Sequence, residues 1–151
     1  LAYLVLPPDL VAGFTRALNE LYREGQTPQQ LVLARFMAEG HYTSHIRRMR
    51  SVYGARHDAL IHAIRHHFGD ALPVIGGDAG LHLVLGLPPG LDDQAVVERI
   101  ARAKVMARPL SLYHMQQPAR ARGLLLGYGA VQEDEVAANF ARLAHAVQHF
   151  L

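Results

Sequence analysis

The sequence predicts an α/β fold in which helices pack on an open sheet, and helices of a larger body precede that unit. Two observations support this fold class. Residues 41–68 carry apolar side chains at helical spacing, and short β-compatible runs separated by Gly and Pro follow from residue 71 onward. Half of the 151 residues are hydrophobic, so the chain can bury a core of its own.

The pattern of residues 1–23 predicts a strand followed by a helix. Residues 1–6 form an apolar run of the kind found in buried strands, and two prolines then end it. Asp9 is placed to cap a helix over residues 10–23, where apolar residues recur every three or four positions.

Two further helices are predicted before residue 70. Thr27 at the N-cap, Pro28 at the first helical position and Gln30 three residues after the cap have the pattern of a capping box. This helix is expected to run to residue 39. The long apolar stripe over residues 41–68 predicts the third helix, and Gly69 is its natural end.

The remaining sequence alternates short strands with two helices. The expected order of strand, strand, helix, strand, strand and helix is typical of an open sheet with helices packed on it. Two aspartates lead the first of these helices at the positive end of its dipole. The predicted strands are residues 71–75, 81–87, 105–110 and 124–131, and the predicted helices are residues 92–103 and 133–150.

Composition excludes several classes of function. The chain has no cysteine, so disulfides and thiolate catalysis are excluded. Its apolar runs are far shorter than the roughly 20 residues of a membrane helix, and we expect a soluble, cytoplasmic protein. The 15 basic residues face 13 acidic ones, and a formal charge of +2 does not predict a nucleic-acid surface.

Five segments, in this order, carry a resemblance to a known family. They read YLVLPPDL, HIRRMRSVYGARHDALIHAI, DAGLHLVLGLPPGLDDQAVVERI, RPLSLYHM and GLLLGYGAV. The chain resembles the C-terminal third of fold-type I pyridoxal phosphate (PLP) proteins, in particular the aminotransferase-like domain of MocR-type regulators in the GntR superfamily. This implies that residues 1–40 are a remnant of the large domain, residues 41–69 a bridging helix and residues 70–151 the small α/β domain.

The resemblance implies a function for the longer protein. The leading hypothesis is the effector part of a cytoplasmic, homodimeric transcription regulator, which senses an amino-acid-like ligand through a PLP adduct. DNA would be bound by an upstream winged-helix domain. Two alternatives stay open: a fragment of a PLP-dependent aminotransferase, and a module that serves only dimerisation or packing.

The expectation about the cofactor depends on where lysine occurs. A PLP enzyme needs a lysine amine to hold the aldehyde, and the resemblance places that lysine before residue 1. Lys104 is the only lysine of this chain, and its position at a helix end favours a structural role. PLP is therefore expected in the full-length protein, whereas the isolated chain is expected to bind none and to be inactive.

The resemblance also indicates where a ligand carboxylate is held. Many fold-type I aminotransferases use an arginine of the last strand, and here Leu125 occupies that position. Because a guanidinium can bind a carboxylate through two hydrogen bonds, a nearby arginine is the expected substitute. Arg108 and Arg122 are the first candidates, followed by Arg120. Tyr113 lies in the predicted loop after Arg108, and such loops often border ligand sites.

The histidines do not predict a metal site. His62 and His66 have the helical spacing of a zinc pair, yet no nearby Cys or Glu completes the set, and a solvated helix face is the favoured interpretation. His82, with apolar residues around it in its strand, is interpreted as a satisfied core or interface histidine.

Overall fold

The computed structural model describes residues 2–22, 25–115 and 121–151. The helices are α1 Pro8–Tyr22, α2 Thr27–Ala38, α3 His41–Phe68, α4 Asp93–Arg102 and α5 Glu133–Val147. The strands are β1 Val74–Ile75, β2 His82–Gly86, β3 Arg108–Pro109 and β4 Gly123–Gly127, and a 3₁₀ turn spans Leu110–Tyr113. Two compact units divide the chain, residues 1–48 and residues 49–151. Within the described residues, no helix is both long and apolar enough to cross a membrane.

The strand predicted at the start of the chain is wrong. Residues 2–7 have no regular secondary structure, and residue 1 lies outside the described residues. Tyr3 and Val5 are 88% and 86% exposed. A strand persists when a neighbouring strand satisfies its backbone groups, and the described part of the first unit contains no strand that could do so.

The helices of the first unit begin slightly earlier than predicted. α1 starts at Pro8, so Asp9 lies in its first turn instead of at the N-cap. The N-cap of α2 is Gln26, so the prediction of Thr27 as the cap is wrong by one residue. No residue of either helix, both described over their whole length, is buried within the structure.

The prediction of α3 is confirmed. The helix ends at Phe68, and Gly69 takes the left-handed conformation at φ 54° that commonly terminates helices. Its later turns contribute Leu60, Ala63 and Ile64 to the hydrophobic core of the second unit.

The order of elements after α3 is also as predicted, and the sheet is antiparallel throughout. Its strand order is β1-β2-β4-β3, so β2 and β4 form the centre. The predicted strand over residues 105–110 is shorter, because only Arg108 and Pro109 pair with β4. Pro109 lacks an N–H to donate to a ladder, which suits a short edge strand that turns at once into a 3₁₀ turn.

The two faces of this sheet differ in what covers them. Leu83, Leu85, Leu124 and Leu126 are buried and belong to the core that the helices complete. Alternate residues lie on the other face, which we call the open face. Its central row is defined by cross-strand partners, which share one side of a sheet. The row consists of Ile75, Val84, Leu125 and Arg108.

Glycine is required at one point of the sheet, and this requirement is testable. A Cβ on Gly123 would lie 2.9 Å from Val84 Cγ1 and 3.0 Å from the Leu85 carbonyl oxygen. We expect Gly123→Ala to lower the free energy of unfolding by about 1–3 kcal/mol, because the strand must shift. Thermal denaturation followed by circular dichroism measures this change.

Gly54 provides the matched control. It lies in the middle of α3, and nothing lies within 4 Å of an added Cβ. Gly54→Ala should raise stability by about 0.5–1 kcal/mol, since alanine favours the helix. Equal effects of the two substitutions would contradict the close packing at Gly123.

Candidate carboxylate-binding site on the open face

Arg108 lies on the open face, directly across from Leu125. The two residues are Cα partners in the ladder between β3 and β4, so their side chains leave the sheet on the same side. Leu125 is partly buried and Arg108 is exposed. The structure therefore brings a guanidinium beside the position at which the sequence lacks one.

Tyr113 is the polar neighbour of Arg108. The 3₁₀ turn brings this tyrosine back toward β3, and Arg108 Nη1 donates a hydrogen bond to the Tyr113 hydroxyl at 3.4 Å. This hydrogen bond, together with the charge of the phenol when it is ionised, raises the pKa of Arg108 above its ordinary value. No described carboxylate pairs with Arg108, so its guanidinium is charged and available to an anion.

Arg122 has a different environment. Its Nη1 lies 3.1 Å from Asp93 Oδ1 and 3.6 Å from Asp92 Oδ1, and its side chain is only 28% exposed. The guanidinium is thus engaged by two carboxylates of the protein itself. Arg120, the third candidate, lies outside the described residues.

Asp93 is the fully buried carboxylate at this place. Its Oδ2 accepts hydrogen bonds from the backbone N–H of Ser111 at 2.9 Å and of Gly123 at 3.3 Å, while Oδ1 accepts from Arg122 at 3.1 Å. Burial alone would raise the pKa of Asp93. Hydrogen bonds from Ser111, from Gly123 and from Arg122 outweigh it and hold the pKa below its ordinary value.

Sequence reasoning missed the role of Asp93. The sequence pattern indicates only that both aspartates at the start of α4 are charges at the positive end of a helix dipole. Asp92 does cap α4, because its side chain accepts a hydrogen bond from the Gln94 N–H, and it is exposed. Asp93 is buried instead, and nothing in the local pattern distinguishes the two residues, since its donors lie 18 and 30 positions away.

The histidines take the following positions. His62 and His66 are exposed, which agrees with a solvated helix face. Among the described residues there is no group of three side chains that could hold a metal ion. His82 is exposed on the open face opposite Gly127, so it is not a core histidine, because β2 turns alternate residues away from the core. Its interpretation as an interface histidine stays a prediction.

Lys104 does not fit the covalent attachment of PLP. It is exposed in the turn after α4, at φ 58°, and its backbone N–H bonds to the Ala101 carbonyl. It belongs to no strand, and so it contributes nothing to the open face. The described residues therefore supply no lysine amine at the candidate site.

Comparison with known protein sequences finds that this chain is similar to parts of transcription regulators. The uncharacterized HTH-type transcriptional regulator YhdI of Bacillus subtilis is 28% identical over 146 residues, which are 97% of this chain and 31% of the relative. The probable rhizopine catabolism regulatory protein MocR of Rhizobium meliloti is 30% identical over 131 residues, 87% of this chain and 26% of the relative. The chain thus spans less than a third of these relatives, and no protein-family model matches it.

Comparison with solved structures gives the fold. The kynurenine aminotransferase of Pyrococcus horikoshii, solved in complex with PMP, superposes with a TM-score of 0.86 at 22% identity over 95% of this chain and 35% of that chain. The chain has an aminotransferase fold. The predicted fold class and the predicted resemblance to MocR-type regulators are both confirmed.

The different environments of the two arginines predict different reactivities. Phenylglyoxal, which modifies accessible arginines, should react with Arg108 faster than with Arg122, because Arg122 is shielded and paired with Asp93. Peptide mapping by mass spectrometry after short exposure measures both rates in one sample. Faster modification of Arg122 would contradict the ion pair.

The buried carboxylate predicts a stability effect that depends on pH. Asp93→Asn should lower the free energy of unfolding at pH 7 by about 2–4 kcal/mol, since Arg122 loses its charged partner. Because the folded pKa is lowered, Asp93 stabilises the fold above the pKa of an unfolded aspartate, about 3.9. This contribution is lost as the pH falls through the folded pKa.

Urea unfolding of wild type and variant at pH 7 and in acid measures the difference. The difference in the free energy of unfolding between wild type and Asp93→Asn should be largest at pH 7 and should decrease below about pH 4. Asp92→Asn is the control, since asparagine also caps helices and Asp92 is exposed. A gap that is constant with pH would show that the charge of Asp93 contributes nothing.

Proposed function

We propose that this chain is the aminotransferase-like effector part of a MocR-type transcription regulator, and that its open face holds the carboxylate of an amino-acid-like ligand through Arg108. The observation that carries the proposal is the pairing of Arg108 with Leu125 across β3 and β4. The arginine that the resemblance implies at residue 125 is replaced by one on the neighbouring strand.

The contacts of the three candidate arginines favour Arg108. It is exposed and has the Tyr113 hydroxyl as its polar neighbour. Arg122 is occupied by Asp93, so it would have to leave a buried carboxylate unpaired in order to bind a ligand, and this is costly. Arg120 remains a candidate on sequence grounds alone.

The strand geometry suits a positioned guanidinium. Pro109 restricts the backbone of the preceding residue to extended conformations, which fixes the direction in which the Arg108 side chain leaves the sheet. The Arg108 guanidinium is exposed, so solvent screens the two charge-assisted hydrogen bonds that it would donate to a carboxylate.

The remaining parts of the proposal concern the full-length protein. There, a lysine outside these residues would hold PLP, and the cofactor would supply an electrophilic carbon for the ligand amine. DNA is bound by a winged-helix domain, and the protein acts in the cytoplasm as a homodimer. Residues 1–40 belong to the large domain, residues 41–69 to the connecting helix and residues 70–151 to the small domain.

A titration of the PLP-loaded full-length protein tests the proposal. The probes are glycine, L-alanine, β-alanine, γ-aminobutyrate and L-glutamate, each paired with its amide, and isothermal titration calorimetry gives the affinities. At least one acid should bind more tightly than its amide. Arg108→Gln should weaken binding of that acid about 2- to 5-fold and leave binding of the amide nearly unchanged.

Two variants serve as controls. Arg99→Gln removes an exposed arginine of α4 and should leave acid binding unchanged. Leu125→Arg in the Arg108→Gln background moves the guanidinium one strand across and should restore preference for the acid. Unchanged acid binding in Arg108→Gln would overturn the assignment, and release of a 2-oxo acid would identify the protein as an aminotransferase instead of a regulator.

A further inference from the structure

We propose that Asp93 is the positioning residue of this site: its carboxylate fixes the segment that carries Arg108 and Tyr113 relative to the start of β4. The inference rests on the proposed function, because it explains how Arg108 is presented. Asp93 itself is fully buried and would not touch the ligand.

The first step is the link through Ser111. This residue is 1% exposed and lies in the 3₁₀ turn between Arg108 and Tyr113. Its N–H donates to Asp93 Oδ2 at 2.9 Å, and Gln94 approaches its hydroxyl at 3.5 Å. The middle of the turn is thus hydrogen-bonded to the first residues of α4. This contact restrains the backbone between two exposed side chains, Arg108 in β3 and Tyr113 at the end of the turn.

The second step is the link to β4. The same oxygen, Asp93 Oδ2, accepts from the Gly123 N–H at 3.3 Å, at the first residue of the strand. Leu125, two residues later, is the ladder partner of Arg108. One carboxylate oxygen therefore holds both the turn after Arg108 and the beginning of the strand that Arg108 faces.

The third step concerns Arg122, the residue that leads into β4. Asp93 Oδ1 accepts a hydrogen bond from Arg122 Nη1 at 3.1 Å. Arg122 alternates with Gly123 and Leu125, so this pair lies on the side of the sheet that the helices cover and not on the open face. The two oxygens of Asp93 thus hold two successive residues at the start of β4.

A preorganised side chain costs less entropy when it binds. Ordering a rotamer-rich side chain costs about 0.5–1.5 kcal/mol, which corresponds to about a 2- to 12-fold change in affinity. Loss of the Asp93 anchor should therefore weaken carboxylate binding at Arg108 by this factor. Acetate is little more than a carboxylate, so its affinity should report this weakening at the Arg108 side chain itself.

The experiment follows the Nε–H resonance of Arg108 in the full-length protein labelled with ¹⁵N-arginine, and Arg108→Gln identifies that resonance. Acetate is the probe and acetamide is the neutral control. In wild type, acetate should shift the resonance in a saturable manner and acetamide should not. Asp93→Asn should raise the acetate dissociation constant about 2- to 12-fold, whereas Asp134→Asn, at an exposed aspartate in the first turn of α5, should leave it unchanged.

Two further variants separate positioning from stability. Leu143→Ala removes a core side chain of α5 that is 2% exposed, so it destabilises the fold without touching the anchor. It should leave the acetate affinity unchanged. Ser111→Ala keeps the backbone hydrogen bond to Asp93 but loses the hydroxyl. It should therefore weaken acetate binding less than Asp93→Asn does. If Asp93→Asn does not fold, Ser111→Ala is the variant that tests the positioning role.

The outcomes are distinct. Weaker acetate binding in Asp93→Asn and Ser111→Ala alone supports the inference. Equal or tighter binding in these variants, or equal weakening in Leu143→Ala or Asp134→Asn, overturns it while the role of Arg108 stands. If acetate leaves the wild-type Arg108 resonance unchanged, the proposed carboxylate site fails, and the positioning role fails with it.

Discussion

The buried carboxylate of Asp93 joins three segments of the second unit. This group connects the start of α4, the 3₁₀ turn after β3 and the first residue of β4 through three hydrogen bonds. A buried charge is tolerated only where such partners replace water, and here two backbone N–H groups and one guanidinium do so. Because the segments come from three places in the sequence, the contact fixes tertiary structure that local propensity cannot specify.

The sheet has two different faces because side chains alternate along its strands. The helices bury the leucines on one face, and alternate residues of the strands form the open face. Arg108 and Leu125 share that face because they are ladder partners. An arginine on β3 can thus take the place of one on β4, although the two positions lie 17 residues apart in the sequence.

Much of this fold could be predicted from the spacing of apolar residues and from the glycines and prolines that separate the elements. α3 follows from its apolar stripe and Gly69, and the order of strands and helices after it follows from short apolar runs between Gly and Pro. The strand predicted over residues 1–6 failed because pairing partners, and not hydrophobicity, decide whether a strand forms. The shortened β3 reflects Pro109, whose missing donor limits the ladder.

The site was predictable in part. Its arginines were identified from the missing arginine at Leu125, but the sequence ranked Arg108 and Arg122 together. What separates them is a long-range contact, the pairing of Arg122 with Asp93, which lies 29 residues away. Asp93 itself was indistinguishable from Asp92, because adjacent acidic residues at a helix start have the same local signature.

A crystal structure of the PLP-loaded full-length protein with a bound amino acid tests the central claim most directly. The measured quantity is the distance from each arginine to the ligand carboxylate. The account predicts that both carboxylate oxygens accept hydrogen bonds from Arg108 at about 2.7–2.9 Å, while Arg122 remains paired with Asp93. A carboxylate bound by Arg122, or by residues away from the open face, would contradict it.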